Sequence, residues 1–184
     1  MPGPRLISVV GKKNAGKTTL VVALVKELVR RGHRVMSIKH GSHPFQVDEE
    51  GRDSWRHMHE GGAERVVMET PNQRVVISKI TEQKGPRELA ELYLADAEFV
   101  VVEGFKDADI PKIEVFRKAV HFKIEVFRKA VHAEPLFVAG ALGSSNYLAI
   151  VTDDRELRAN IPVMRFSDTA WMYRLIDIVL NGAK

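Results

Sequence analysis

Short apolar runs alternate with amphipathic segments along most of this chain. Residues 6–10 (LISVV) and 99–102 (FVVV) are short, mostly apolar runs rich in β-branched residues, which is typical of strands buried on both faces of a sheet. Five apolar residues after the first run recur at spacings of three and four, as on one face of an amphipathic helix: Leu20, Val21, Leu24, Val25 and Leu28. This order of elements predicts a strand followed by a helix.

The same patterns extend the prediction to the rest of the chain. They predict strands at residues 34–39, 148–151 and 163–166, helices at 53–60 and 86–95, a hairpin with strands at 66–68 and 74–77, and a final helix capped by Ser167. Apolar strands that alternate with helices favour an α/β fold with a mostly parallel sheet flanked by helices. No linker-like stretch divides the sequence, so a single domain over residues 1–184 is predicted.

Composition narrows the functional classes. The chain has 184 residues and a formal charge of +4, with 45% hydrophobic and 28% charged residues, which is ordinary globular usage. The absence of cysteine excludes disulfides and thiolate chemistry. The basic residues are dispersed, so no nucleic-acid partner is expected. The longest apolar run, residues 136–142, is far shorter than the ~20 residues of a membrane span, and the first residues resemble no secretory signal. A cytoplasmic protein without a membrane partner is expected.

A phosphate-binding loop lies between the first predicted strand and helix. Residues 11–18 read GKKNAGKT and fit the pattern G-x-x-x-x-G-K-[ST]. Glycine lets backbone N–H groups turn towards a phosphate, and the amino end of the following helix attracts the same anion. Lys17 is placed to pair with the outer phosphates and Thr18 to bind Mg²⁺. The sequence therefore predicts a nucleotide-phosphate site in a P-loop NTPase-like, three-layer fold.

Polar residues at the ends of two other predicted strands are candidates for the same site. Glu103 ends the most apolar run and is the expected acid beside the metal, although a strand-end carboxylate facing solvent is the alternative. Lys39 and His40 follow the second strand and are expected to face the nucleotide or a second substrate. Asp53 ends the polar segment that follows the second strand and fits either a phosphate-sensing group or a helix cap. No Asn-Lys-x-Asp motif is present, so the residues leave guanine or adenine preference open.

Four segments together resemble the MobB family of molybdopterin-guanine dinucleotide biosynthesis adaptor proteins. They are, in order, GKKNAGKTTL, SIKHGSH, DEEGRDSWRHMHEGGAE and VVVEGFKDADIPKIEVFR, which lie within residues 11–117. The loop motif alone is shared by many families, whereas the Lys-His after the second strand and the Val-Glu-Gly-Phe-Lys segment are much narrower.

The resemblance implies GTP binding with at most slow hydrolysis, a homodimer, and an accessory role beside a MobA-type molybdopterin guanylyltransferase. It implies that Thr18 and Glu103 serve Mg²⁺, with Asp53 close by. It implies a nucleotide-binding set made of Gly11, Lys13, Asn14, Ala15, Gly16, Lys17, Thr18, Thr19, Lys39 and His40. The alternative function is a small-molecule kinase or ligase that uses the same loop to hold ATP.

The sequence departs from the family pattern in a tandem duplication over residues 112–132. KIEVFRKAVH occupies residues 112–121 and again 123–132, and each copy adds a net charge of +2. Read as strands, the copies place Ile and Val on one face and Phe on the other, and an odd shift of 11 residues swaps the faces. The same period also fits a helix. Our hypothesis is that one copy forms the strand of the family fold and the other extends it towards a dimer partner.

Overall fold

The computed structural model describes residues 3–41, 47–118, 137 and 144–182. The chain divides into two compact units, a sheet unit (residues 1–40 and 85–184) and a hairpin unit (residues 41–84). Elements in chain order are β1 (Arg5–Val10), α1 (Lys17–Arg30), β2 (Val35–Lys39), α2 (Asp53–His59), β3 (Arg65–Thr70), β4 (Gln73–Ser78), α3 (Pro86–Tyr93), β5 (Phe99–Glu103), β6 (Lys112–Phe116), β7 (Tyr147–Thr152), β8 (Val163–Arg165) and α4 (Trp171–Gly182). The single-domain assignment stays a prediction.

The sheet unit contains a six-stranded sheet of order β2-β5-β1-β6-β7-β8, in which every neighbouring pair is parallel. The mostly parallel sheet predicted from the apolar runs is therefore confirmed. In this register Glu103 at the end of β5 lies level with Val9 of β1 and Lys39 of β2. The carboxyl ends of these central strands thus meet at one edge of the sheet, which we call the carboxyl edge.

Helices cover both faces of the sheet. The apolar faces of α1 and α4 pack on one face, where residues such as Leu24 and Leu175 are fully buried with Ile7 and Val101. On the other face Ala90 of α3 packs against Val100 of β5. These three layers confirm the predicted architecture, and burial of the two faces explains why the central strands are apolar throughout.

The first copy of the duplicated segment forms β6. Ile113 and Val115 join the core beneath α1 and α4, as the strand interpretation predicts. The alternate face carries two buried charged residues: Lys112 donates to the carbonyl of Ile110 at 3.2 Å, and Glu114 accepts from the Phe137 N–H at 2.9 Å. The second copy, residues 123–132, lies outside the described residues, so its extension of the strand stays a prediction.

The ends of two helices differ in how well the sequence predicts them. A glycine after the apolar pattern of α1 predicts that Gly32 caps this helix. The helix runs to Arg30, and the N–H groups of Gly32 and His33 donate to the carbonyls of Val29 and Leu28. The prediction that Ser167 caps the last helix is wrong, because a turn in which the Trp171 N–H donates to Asp168 precedes the helix. Helix α4 therefore begins four residues later, at Trp171.

The hairpin unit consists of α2 and the antiparallel pair β3–β4, which turns at Pro71 and Asn72 as predicted. Met58 of α2 and Val66 of β3 are its buried apolar residues. Helix α2 begins at Asp53 as its first helical residue, with Arg52 rather than Asp53 in the capping position. Among the described residues of the chain, no helix is both long enough and apolar enough to cross a membrane.

Candidate functional site

The loop that joins β1 to α1 depends on two glycines in left-handed conformations. Gly11 has φ +145° and Gly16 has φ +101°. A Cβ on Gly11 would overlap the carbonyl oxygen of Val115 in β6, so no side chain fits there. Gly16 is the residue that precedes α1, and its conformation aims the first turn of that helix at the loop. The predicted phosphate-binding loop is therefore present as a geometric feature.

Internal contacts hold the loop in this shape. The Lys17 ammonium donates to the carbonyl of Lys12 at 2.8 Å, and the N–H of Ala15 donates to the same oxygen at 3.2 Å. Ala15 is buried in the main core, whereas Lys13 and Asn14 are exposed at the crest of the loop. Thr18 and Thr19 lie exposed in the first turn of α1. The loop is thus held by contacts with the core on one side and is exposed to solvent on the other.

Glu103 connects the loop to the neighbouring strands. Its carboxylate accepts a hydrogen bond from the Thr18 hydroxyl at 2.9 Å and one from the Lys39 ammonium at 2.7 Å. Glu103 is only 8% exposed, so the prediction that it belongs to the site is favoured over the solvent-facing alternative. The three side chains come from α1, β2 and β5, which meet because the strands are parallel and in register.

The charges at this edge are strongly coupled. Burial acts to raise the pKa of Glu103, but the hydrogen bonds from Lys39 and Thr18 and the charges of Lys39 and Lys17 outweigh it and hold that pKa below its ordinary value of 4.5. Burial lowers the pKa of Lys17 below 10.5; the charge of Glu103 opposes this shift and the charge of Lys39 adds to it. Glu103 is therefore ionised at neutral pH. The lysines that surround it could also pair with a bound phosphate.

Thr18 and Glu103 fit a hard divalent cation. A hydroxyl oxygen and a carboxylate oxygen 2.9 Å apart are both ligand types that Mg²⁺ prefers, and they lie at the amino end of α1, where an anion would also bind. In the described part of the chain no group of three or more His, Asp and Glu side chains could hold a metal without a ligand's help. This donor set fits a Mg²⁺ that is shared with nucleotide phosphates.

His40 lies next to the turn that follows Glu103. Its N–H donates to the Glu103 carbonyl at 2.9 Å and its ring lies on Phe105, with centroids 4.3 Å apart. The turn uses Gly104 at φ +102°, where a Cβ would come within 3.1 Å of the Cβ of His40. The structure therefore brings His40 to the end of β5, where it packs against the turn and presents an exposed side chain.

Asp53 belongs to the hairpin unit and not to the sheet unit that contains the loop. It is exposed at the start of α2, and its role near the metal stays a prediction. Its neighbour Ser54 donates to Asp48 at 2.7 Å, and the second oxygen of the Asp48 carboxylate is buried without a hydrogen-bond partner among the described residues.

Arg117 lies beside the loop and is not among the residues predicted from the sequence. It directly follows β6, and its guanidinium atoms lie 3.6–3.9 Å from the position of a Cβ on Gly16. The same guanidinium lies over the ring of Phe166, 4.6 Å from the centroid. In the sequence, Arg117 is marked only by its position directly after an apolar strand. That position indicates a place beside the loop only when β6 is known to adjoin β1.

Comparisons with known proteins agree with one another. Residues 6–153 match the family model described as "MobB: Molybdopterin guanine dinucleotide synthesis protein B". The molybdopterin-guanine dinucleotide biosynthesis adapter protein of Haemophilus influenzae is 38% identical over 107 residues, covering 55% of this chain and 57% of the relative. The protein of the same name from Escherichia coli is 35% identical over 107 residues, covering 55% and 59%. The matched region thus spans little more than half the length of these relatives.

Solved structures extend the similarity to nearly the whole chain. A molybdopterin-guanine biosynthesis protein B (mobB) is 26% identical and aligns over 97% of this chain and 98% of its own, with a TM-score of 0.63. The MobB of Bacillus subtilis aligns over 95% and 97% with a TM-score of 0.65; at 21% identity it supports the fold alone.

Proposed function

We propose, from the premise that this chain belongs to the MobB family, that it is a GTP-binding adaptor in molybdopterin guanine dinucleotide biosynthesis with weak, Mg²⁺-dependent GTPase activity. The family places the chain in that pathway. The nucleotide, the metal and the slow hydrolysis are our inferences from the site.

The observation that carries the proposal is the contact between Thr18 and Glu103 beside the loop. A hydroxyl in the first turn of α1, hydrogen-bonded to a buried carboxylate at 2.9 Å, is the arrangement that a Mg²⁺-nucleotide needs next to a phosphate cradle. Lys17 then supplies positive charge to the outer phosphates. When bound, Mg²⁺ would be held by Thr18 and Glu103 and would neutralise charge on those phosphates.

Slow hydrolysis is consistent with the engagement of Glu103. One of its oxygens accepts from Lys39 and the other from Thr18, and its lowered pKa makes it a weak base. Such a carboxylate orders cations around the phosphates more readily than it removes a proton from water. The site is thus better suited to holding a nucleotide than to cleaving it rapidly.

We further propose that the protein acts in the cytoplasm as a homodimer that binds a molybdopterin guanylyltransferase of the MobA type. The pathway supports this partner, because adaptors act on another protein and the guanylyltransferase consumes the same nucleotide. Size-exclusion chromatography with light scattering tests the dimer, and a pull-down with the purified guanylyltransferase tests the partner. A monomer, or no capture at micromolar concentrations, would refute the corresponding part of the proposal.

A nucleotide titration tests the central part. We expect GTP with Mg²⁺ to bind more tightly than ATP, with a turnover far below the ~1 s⁻¹ at the lower end of kinase rates. ATP preference together with rapid transfer to a small acceptor would instead establish the kinase or ligase alternative. The titration uses this protein alone, without the guanylyltransferase, so the GTP affinity and the partner binding are measured independently.

A further inference from the structure

Arg117 lies at the carboxyl edge because β6 is the neighbour of β1. The two strands are parallel, with Val10 of β1 level with Glu114 of β6, so the residues that follow both strands emerge at the same edge. After β1 the chain forms the phosphate-binding loop, and after β6 it reaches Arg117. Strand order alone therefore places an arginine beside the loop.

The guanidinium lies beside the loop at its second glycine. Nε, Nη2 and Cζ of Arg117 lie 3.6, 3.7 and 3.9 Å from the position of a Cβ on Gly16. Gly16 immediately precedes Lys17, and the N–H groups at this point of such a loop surround the bound phosphate. The positive charge of Arg117 thus borders the anion cradle on the side opposite the Lys39–Glu103 pair, which is attached to β2 and β5.

The hydrogen-bonding capacity of Arg117 is unused within the described residues. Its Nε is buried and has no acceptor there, and no carboxylate in that part of the chain pairs with its charge. By contrast, Lys39 is paired with Glu103, and Lys118 lies 3.1 Å from Glu156. A buried donor without an acceptor destabilises the structure, a cost that a ligand with acceptor oxygens would remove.

The Phe166 ring fixes the orientation of this side chain. The guanidinium lies 4.6 Å from the ring centroid, a cation–π contact that limits its rotamers. A planar guanidinium held in one orientation can donate two parallel hydrogen bonds to a phosphate, which a lysine cannot do. The arrangement is therefore pre-organised for an oxyanion in the loop.

We propose that Arg117 is a phosphate-contacting residue of the nucleotide site. The proposal rests on the function proposed above, in which the loop binds a nucleotide, and adds a second cationic contact from β6 to the contact made by Lys17 from α1. Because Arg117 lies beside Gly16, its contribution belongs to the phosphate chain and is independent of the base.

The duplicated segment supplies a matched control. Arg128 occupies the same place in the second copy of KIEVFRKAVH as Arg117 does in the first, so the local sequence around the two arginines is nearly identical. The test uses four variants of the full chain: Arg117→Ala, Arg117→Met, Arg117→Lys and Arg128→Ala. Arg117→Met keeps an apolar stem on Phe166 and removes only the charge and the donors.

The measurements are the dissociation constants of GTP and of pyrophosphate, which has no base, together with the melting temperature without ligand. We expect Arg117→Met to weaken both ligands by the same factor of about ten, Arg117→Lys to recover part of the loss, and Arg128→Ala to bind like the unaltered chain. The melting temperature of Arg117→Met should stay within about 3 °C of the unaltered chain, because the packing on Phe166 is kept.

Wild-type affinity in Arg117→Met would overturn the proposal, as would weaker GTP binding with unchanged pyrophosphate binding. An equal loss in Arg117→Met and Arg128→Ala would overturn it too. Lys17→Ala separates this test from the proposed function: if neither the unaltered chain nor Lys17→Ala binds GTP or ATP, the nucleotide site itself is wrong. If Lys17→Ala loses GTP binding and the Arg117 variants keep it, the nucleotide site is supported and Arg117 is not part of it.

Discussion

The two edges of the six-stranded sheet carry similar residue types in different surroundings. At the carboxyl edge Lys17, Thr18 and Lys39 lie around the buried carboxylate of Glu103 beside a glycine loop. At the amino edge the Arg34–Asp96 pair is 62% and 63% exposed. A cleft of about 920 Å³ also lies at the amino edge, bordered by these two residues and by Phe99. Cavity size and charge are thus poor guides to the site.

The two edges differ in whether backbone N–H groups are free to bind an anion and in how far their charges are buried. The carboxyl edge exposes the first N–H groups of α1, and its charges are partly buried. The amino edge begins the strands, and its ion pairs are exposed to solvent, which screens them. A concave surface with paired charges offers no unsatisfied donors to an anion, whereas the loop and the amino end of α1 do. Changes at the carboxyl edge should therefore alter ligand binding, and changes at the amino edge should not.

Lys17→Ala should have the largest effect. Removing the ammonium eliminates the charge that faces the outer phosphates, and we expect GTP affinity to fall by a few hundredfold, or about 3–4 kcal/mol. Isothermal titration calorimetry measures the loss. Lys26→Ala, which removes an exposed lysine from a later turn of α1, is the matched control and should change affinity less than about threefold. Equal losses in both variants would mean that only the net charge of the chain matters.

Gly11→Ala should have the next largest effect, on stability. The added Cβ meets the Val115 carbonyl at a φ of +145°, and we expect a loss of about 3 kcal/mol in the free energy of unfolding. At the amino edge Gly32 also has a positive φ, but no atom lies within 4 Å of its Cβ position. Gly32→Ala should cost only about 1 kcal/mol. Denaturant unfolding compares the two, and equal losses would show that contact with β6 is unimportant.

Glu103→Gln should change the pH dependence of stability. The pKa of Glu103 is lower in the folded chain than its ordinary 4.5, so the unfolded chain binds the proton more tightly. The stabilisation is therefore complete above pH 4.5 and is lost as the pH falls through the lowered value. The difference in melting temperature between the unaltered chain and Glu103→Gln should shrink over that acid range. A constant difference for Glu103→Gln would contradict the account.

Asp96→Asn should have the smallest effect. It breaks an exposed pair with Arg34, whose contribution is expected to be below about 0.5 kcal/mol. Neither GTP affinity nor the free energy of unfolding should change measurably. A clear loss of GTP binding would show that the two edges are coupled and would undermine the comparison.

The sequence predicts the chemistry of this site better than its assembly. The glycine loop and the strand ending at Glu103 follow from local patterns, because a phosphate cradle and a buried parallel strand each leave a signature in consecutive residues. The position of Arg117 beside Gly16 depends on which strand adjoins β1, and strand order is a long-range property that no local pattern encodes. The start of α4 was missed because Ser167 is as acceptable in a turn as in a cap.

The most direct test of the central claim is the Mg²⁺ dependence of GTP binding in the unaltered chain and in Thr18→Val. Valine keeps the size of threonine and removes the hydroxyl that donates to Glu103. We expect Mg²⁺ to tighten GTP binding to the unaltered chain by about tenfold or more relative to EDTA, and Thr18→Val to bind GTP equally with and without Mg²⁺. Equal affinity with and without Mg²⁺ in the unaltered chain, or an undiminished Mg²⁺ effect in Thr18→Val, would contradict the claim.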